Sequence, residues 1–193
     1  MDQEKAAPPY TMHNILIRDY VLSFFVFFSF VAANHALTPT IPIYLARLGT
    51  SEREIGILVG SYGIASLLSR FFVGGLLGRR SERLVMLWGA ALCILNFLAL
   101  TVFRPFWPFF IIRLLQGLAF ACLDTAAIAY VIRIIPLANR PRAISYLLLA
   151  SPLSFAMVAS LSVFIINEYS FTILLFGCTG LSMCALFLSW KLK

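Results

Sequence analysis

Charged residues are scarce in this sequence. They make up 12% of its 193 residues, whereas hydrophobic residues make up 61% and the mean hydropathy is +0.93. A soluble domain carries roughly 25% charged residues, so this chain has too little polar surface to cover a globule in water. These proportions exclude soluble enzymes and nucleic-acid-binding proteins. They favour an integral membrane protein that has lipids as neighbours, no nucleic-acid partner and no cofactor.

Cysteine is sparse as well, and its spacing carries no metal or disulfide signature. The four cysteines all fall within apolar runs, without C-x-x-C or C-x-x-H spacing: Cys93, Cys122, Cys178 and Cys184. Neither a metal site nor a disulfide framework is therefore expected. The first residues also lack the basic, cleavable pattern of a secretory signal. We predict that residues 1–19 form a retained cytoplasmic tail.

Six apolar runs approach the roughly 20 residues that a helix needs to cross a bilayer. They run approximately from Tyr20 to Leu45, Glu54 to Leu77, Arg83 to Phe103, Trp107 to Ile132, Arg142 to Ile166, and Phe171 to Trp190. We therefore predict an all-α bundle of six transmembrane helices over residues 20–190, with residues 191–193 beginning a cytoplasmic segment. Ser51 and Glu54 have the spacing of a capping box at the start of the second helix.

Basic residues are distributed unevenly over the connecting segments. Of the 15 lysines and arginines, ten fall on one predicted side: Lys5, Arg18, Arg79, Arg80, Arg83, Arg133, Arg140, Arg142, Lys191 and Lys193. The other side has Arg47, Arg53 and Arg104. Because basic loops stay in the cytoplasm, both termini are predicted to be cytoplasmic. The expected location is the plasma membrane, which is the inner membrane in a bacterium.

Three charged residues lie deep within the predicted spans, away from their ends: Arg70, Arg113 and Asp124. A charge in hydrocarbon costs at least a few kcal/mol, so it is paired or lines a cavity. Arg70 and Asp124 each lie roughly 13 Å from the cytoplasmic ends of their helices, and an ion pair between them is one hypothesis. In the other, Asp124 is a protonatable group in a transport pathway.

Other polar residues extend the candidate cavity. Arg113 has no acid at its own depth, which favours a place on the cavity wall, where it contacts solvent or substrate. Gln116 lies on the same helical stripe, and Asn34 and His35 lie in the first span. For His35, hydrogen-bonded packing is the commoner role, and ligand binding or proton transfer is the alternative.

Glycine and proline mark expected contacts and bends. Glycines at the inner end of the second span and within the sixth predict close approach of neighbouring helices: Gly74, Gly75, Gly78, Gly177 and Gly180. Pro152 removes a backbone donor within the fifth span and predicts a bend there.

Several motifs, in this order and spacing, resemble the N-terminal half of a major facilitator superfamily transporter. The segment Gly74 to Arg83, which includes Gly78 and Arg79, is similar to the family's G-x-L-x-D-R-x-G-R-R loop. Arg113 to Gly117 resembles its R-x-x-Q-G motif, and Ala150 to Pro152 a modified form of its fifth-helix G-P motif.

The loop motif also departs from the family pattern. Gly78 replaces the usual Asp, Ser81 a Gly and Glu82 a basic residue, while Arg133 stands where an acid is common. Two acids that normally satisfy the loop arginines are therefore absent. Glu82 or lipid phosphates are the expected substitutes.

The resemblance implies a bundle organised as a 3+3 inverted repeat, half of a twelve-helix fold with substrate bound at the midplane. Spans one, two, four and five would line the cavity. A second six-helix half, or a second copy, would complete it around a small-molecule substrate. The R-x-x-Q-G form implies a proton antiporter that exports drug-like molecules, with Asp124 or His35 titrating.

Two other classes of function remain as alternatives. One is a truncated or non-transporting membrane subunit. The other, an intramembrane protease, fits less well because Gly60-Ser61-Tyr62-Gly63 is only similar to a G-x-S-G motif and no His follows His35. We therefore expect no enzymatic activity and no catalytic residue.

Overall fold

The computed structural model describes residues 9–103 and 106–192, with side chains from residue 18 onward. Within these residues all regular structure is helical. Six helical segments are long and apolar enough to cross a membrane: Arg18–Arg47, Glu52–Leu77, Glu82–Val102, Phe106–Ile134, Leu137–Glu168 and Phe171–Trp190. The predicted fold class, an all-α membrane protein with six spans, is confirmed.

Seven α-helices build these six spans. They are α1 (Pro9–Arg47), α2 (Glu52–Leu77), α3 (Glu82–Val102), α4 (Phe106–Ile134), α5 (Arg140–Leu148), α6 (Ala150–Glu168) and α7 (Phe171–Trp190). The fifth span is thus divided between α5 and α6, after a short 3-10 turn at Leu137–Asn139. The division follows from Pro152, which has no amide hydrogen to donate to the carbonyl of Leu148, four residues earlier.

Three helices begin at serine caps. The Ser51 hydroxyl accepts the amide of Glu54 (3.4 Å), and the Glu54 carboxylate accepts the amide of Ser51 (3.1 Å). This is the predicted capping box, and it satisfies backbone donors that the first helical turn leaves free. Ser81 and Ser170 cap α3 and α7 in the same position. These local bonds set where the loops end and the spans begin.

The helices pack in a series that differs from their order in the chain. The main contacts run from α2 to α4, then to α3, α7, α1 and finally α6. The core between them is apolar, with fully buried Phe27, Phe30, Phe97 and Leu123. The spans formed by α2 and by α5 and α6 carry the smallest buried share. They stand at the two ends of the series and border the open side of the bundle.

Two glycines allow the closest helix contacts. A Cβ atom on Gly89 of α3 would lie 2.8 Å from the backbone nitrogen of Leu123 on α4. A Cβ atom on Gly117 of α4 would lie 2.6 Å from the carbonyl oxygen of Tyr62 on α2. At these points backbone meets backbone directly, so α4 is held tightly between α2 and α3.

The glycines predicted to mediate packing do not do so within the described residues. At Gly74, Gly75, Gly177 and Gly180 an added Cβ would meet nothing within 4 Å, and at Gly78 it would meet only Gly75 of its own helix. The prediction of close packing at these positions is therefore wrong for this bundle. The reason is orientation, because these glycines lie on the outward faces of α2 and α7.

Candidate functional site

An open cleft of about 530 Å³ lies where α1, α2, α4 and α6 face one another. Its lining combines aromatic, hydroxyl and charged side chains: His35, Thr38, Tyr62, Gly63, Ser66, Leu67, Arg70, Phe120 and Phe155. These helices are the first, second, fourth and fifth spans, which were the four expected to line a cavity. Tyr62, Ser66 and Arg70 share one stripe of α2 because they are spaced four residues apart.

An ion pair at membrane depth joins α2 to α4. Nη2 of Arg70 lies 2.8 Å from Oδ2 of Asp124, so the two residues placed at equal depth do meet. The Arg70 side chain is 44% exposed and the Asp124 side chain 9%. The guanidinium therefore presents its charge to the cleft, and the carboxylate lies behind it.

Arg113 is enclosed by its own bundle. Its Nε donates to the Leu58 carbonyl (3.1 Å) and its Nη1 to Oε1 of Gln116 (2.7 Å). Its guanidinium also stacks over the Tyr62 ring, 4.7 Å from the ring centre. With 5% of its surface exposed, Arg113 does not have the open position on the cavity wall that we expected. The expectation fails because α2 backbone carbonyls satisfy the guanidinium where no acid is available.

Gln116 extends this buried network to α1. Its Nε2 donates to Oδ1 of Asn34 (3.1 Å), and Nδ2 of Asn34 donates to the Phe30 carbonyl (3.0 Å). With the Leu58 carbonyl of α2, Asn34, Arg113 and Gln116 thus form one hydrogen-bonded chain across three helices. A small cavity of about 90 Å³ borders Asn34 and Arg113. Thr38 and Tyr62 line both this cavity and the larger cleft, which makes the two neighbours.

His35 reaches the cleft from α1 and contacts α6. Its Nδ1 lies 3.0 Å from Oγ of Ser154, whose own hydroxyl donates to the Ser151 carbonyl (2.8 Å). The direction of the His35–Ser154 hydrogen bond depends on the tautomer of the ring, because a neutral imidazole has one donor and one acceptor nitrogen. The ring also meets Phe155 edge-on at 5.5 Å. Both the packing role and the cleft-facing role proposed for His35 are thus compatible with its position.

Sequence reasoning missed Tyr62, Ser154 and Phe155 as site residues. For Tyr62, the four-residue spacing to Ser66 and Arg70 is a signal that was present in the sequence. For Ser154 and Phe155, nothing distinguishes them within an apolar span except their closeness to Pro152. Their pairing with His35 joins residues 119 positions apart, which no local pattern reveals.

The loop between α2 and α3 lies outside the cleft. Glu82 pairs with Arg133 at the end of α4 (3.3 Å), and Arg83 donates to the carbonyl of Trp190 at the end of α7. Arg79 and Gly78 are exposed at the end of α2. Among the described residues the ion-pair partner of Glu82 is thus Arg133, and not one of the loop arginines for which we expected it to substitute. The two contacts also bring the ends of α4 and α7 to the same side as this loop.

The described residues contain no group of three or more His, Cys, Asp or Glu side chains that could hold a metal ion. What the cleft offers instead is one exposed guanidinium, a histidine, three hydroxyls (Thr38, Tyr62 and Ser66) and aromatic rings. This set can bind a small organic molecule by charge, hydrogen bonds and stacking.

The family model of the Major Facilitator Superfamily matches residues 22–193 of the chain. Among curated proteins, none matches it.

Proposed function

The chain belongs to the Major Facilitator Superfamily, whose members transport small molecules across membranes, and we propose that it is the N-terminal half of a proton-coupled efflux transporter. The observation that carries this proposal is the Arg70–Asp124 ion pair, with its guanidinium 44% exposed beside a cleft lined by four helices. A charge this exposed at membrane depth is costly unless it serves a ligand or an aqueous pathway.

Proton coupling is proposed to act through the same pair. Protonation of Asp124 removes the charge that holds Arg70, and the pair is one of several contacts between α2 and α4. A change in protonation thus alters both the charge of the cleft and a contact between two of its walls. His35, which lines the cleft from α1, is the second group proposed to titrate. Efflux is the direction that the R-x-x-Q-G resemblance favours.

A second six-helix half, or a second copy of the chain, is proposed to cover the cleft. Lipid tails offer no hydrogen-bond acceptor to the Arg70 guanidinium. The α2 and α5–α6 spans, which border the cleft, are the least buried within the bundle. A partner bundle would cover these faces and place the cleft between two halves, near the midplane.

The proposed location is the plasma membrane with both termini in the cytoplasm. The contacts from Glu82 to Arg133 and from Arg83 to Trp190 show that the start of α3 and the ends of α4 and α7 lie together. The exposed Arg79 and Arg80 also lie at this end. Basic residues gathered at one end of a bundle favour its cytoplasmic side.

A non-transporting membrane subunit is the second candidate. The observation that favours it is the enclosure of Arg113, whose nitrogens are bonded to Leu58, Val59 and Gln116. The motif residue expected to contact cargo thus acts in this bundle as a link between α2 and α4. A subunit that only stabilises a partner needs structural links of this kind and no residue that contacts cargo.

Proteoliposomes that contain a pH-sensitive dye can test the proposal. We would reconstitute the chain alone, and also the complex purified from native membranes, and add small amphiphiles of positive, negative and zero charge. Substrate-dependent proton movement that Asp124→Asn abolishes is the expected result. Glu168→Gln is the matched control, because it removes an exposed acid at the end of α6. Absence of proton movement in both preparations would favour the non-transporting subunit.

A further inference from the structure

We propose that the cleft binds an amphipathic organic anion. Its acidic group would take Arg70 from Asp124, and its apolar body would lie against Phe120 and Phe155. This inference rests on the proposed transport function and adds a substrate class to it. Four features support it. They are the balance of charge at membrane depth, the exposure of Arg70, the aromatic lining, and the competition between Asp124 and the ligand's acidic group for Arg70.

The balance of charge favours an anion. Two arginines, Arg70 and Arg113, lie at membrane depth in this region, with Asp124 as the acid paired to one of them. Within the described residues, the partners of Arg113 are neutral: two backbone carbonyls, the Gln116 amide and the Tyr62 ring. One positive charge is therefore left without an opposite charge in a region of low dielectric. The resulting positive potential attracts an anion to the cleft.

Arg70 is placed to receive that ligand. It is the exposed member of the ion pair, 44% against 9% for Asp124, and it lines the cleft. Within the described part of the chain, only its Nη2 is bonded, to Asp124. A guanidinium carries five donor hydrogens and suits a planar, bidentate acceptor such as a carboxylate. An acidic group approaching from the cleft thus meets free donors before it meets Asp124.

The rest of the lining suits an apolar body. Phe120 from α4 and Phe155 from α6 both line the cleft, in edge contacts with Tyr62 (5.8 Å) and His35 (5.5 Å) respectively. The volume of about 530 Å³ lies within the range of about 300–1,000 Å³ typical of small-molecule sites. A bare inorganic anion would make no apolar contact with these rings. An aromatic or aliphatic acid would use both the rings and the guanidinium.

Because of the ion pair, binding of the anion at Arg70 is coupled to binding of a proton at Asp124. Arg70 of α2 is the ionisable group paired with Asp124, and Tyr62 of α2 and His35 of α1 line the same cleft as Arg70. On α3, the charged residues lie at its start, in Glu82 and Arg83, far along the helix from this depth. Protonation of Asp124 therefore releases Arg70, and the released guanidinium binds the anion.

The competition between Asp124 and the anion for Arg70 determines how substrate transport is coupled to proton movement. An anion that needs a protonated Asp124 travels with the proton, and efflux is then driven by the gradient of the substrate itself. Exchange with protons, the form implied by resemblance to drug antiporters, needs the opposite arrangement. There, a cation would bind Asp124 directly and protons would displace it. The charge of the bound ligand distinguishes the two.

The test is a pair of probes of equal shape and opposite charge. Naphthalene-2-sulfonate and naphthyl-trimethylammonium both keep their charge from mildly acidic to mildly alkaline pH, so any pH dependence belongs to the protein. Binding to the full chain in lipid nanodiscs is measured by titration calorimetry, with empty nanodiscs as the blank. We expect the sulfonate to bind, more tightly as the pH falls, and the ammonium not to bind.

Two variants locate the site. Arg70→Gln should weaken sulfonate binding about 10- to 100-fold, the range for loss of a hydrogen bond to a charged group. Arg53→Gln, which removes an exposed arginine at the start of α2, should leave binding unchanged. Asp124→Asn should bind about tenfold more tightly at neutral pH and lose most of the pH dependence, with His35 as the remaining titrating group in the cleft. Because that is a gain of affinity, misfolding of a variant cannot imitate it.

Three outcomes would overturn the proposal. Binding of the ammonium in place of the sulfonate, lost in Asp124→Asn, would show a cation site and leave the transport function standing. Unchanged sulfonate binding in Arg70→Gln would place the anion elsewhere. Binding of neither probe would remove the anion site, while proton movement in the proteoliposome assay would still decide separately whether the chain transports.

Discussion

Gly117→Ala should destabilise the bundle although it adds only one methyl group. The new Cβ would lie 2.6 Å from the Tyr62 carbonyl oxygen, 2.8 Å from Cβ of Ala65 and 2.8 Å from the Ser66 nitrogen. Two of these three atoms are backbone, so no side-chain rotation relieves the overlap and α2 has to move away from α4. Overpacking of this kind costs about 1–3 kcal/mol.

Helix propensity acts in the opposite direction and sets the net effect. Alanine is favoured over glycine within a helix by about 1 kcal/mol. Since the overlap is with backbone, we take the upper end of the overpacking range, which leaves a net loss of about 2 kcal/mol. For a chain of this size, that corresponds to a melting temperature about 4–8 °C lower.

Gly60→Ala is the matched control. Gly60 lies on α2, and an added Cβ there would meet nothing within 4 Å. Only the propensity gain of up to about 1 kcal/mol applies, so the melting temperature should stay constant or rise by a few degrees. A thiol-reactive dye can follow unfolding in detergent, because Cys93, Cys122 and Cys178 are buried in the folded chain. If Gly117→Ala melts at or above the temperature of Gly60→Ala, the reasoning about backbone contact is refuted.

Three further predictions use the same melting assay. Ser51→Ala removes the α2 cap and should cost about 0.5–2 kcal/mol; an unchanged melting temperature would show that the cap is dispensable. Arg113→Lys cannot keep the guanidinium's bonds to Leu58 and Gln116, so the free energy of unfolding should fall by about 1–3 kcal/mol. A variant that changes proton movement but not the melting temperature would contradict the structural role of Arg113. Glu82→Gln breaks an ion pair in which Arg133 is 52% exposed, so the loss should stay below about 1 kcal/mol; a larger loss would mean that this pair is shielded from solvent.

Much of the fold could be predicted because it depends on local properties of the chain. Span number follows from the length of apolar runs, since the thickness of the bilayer and the rise of the helix are both constant. The Ser51–Glu54 cap joins residues three apart, so its pattern is visible in the sequence. Counting residues along two helices also placed Arg70 and Asp124 at equal depth. In the structure, Nη2 of Arg70 lies 2.8 Å from Oδ2 of Asp124.

The tertiary structure alone decided which groups face each other. Arg113 is closed off by carbonyls 55 and 54 positions away, and His35 meets Ser154 across 119 positions. Of the glycines, Gly89 and Gly117 make the close contacts, while Gly74 and Gly78, in the loop motif, face outward. Helical periodicity tells which residues share a stripe. Which neighbour covers that stripe depends on how whole helices associate, and that is determined by packing between distant segments and not by any local run of residues.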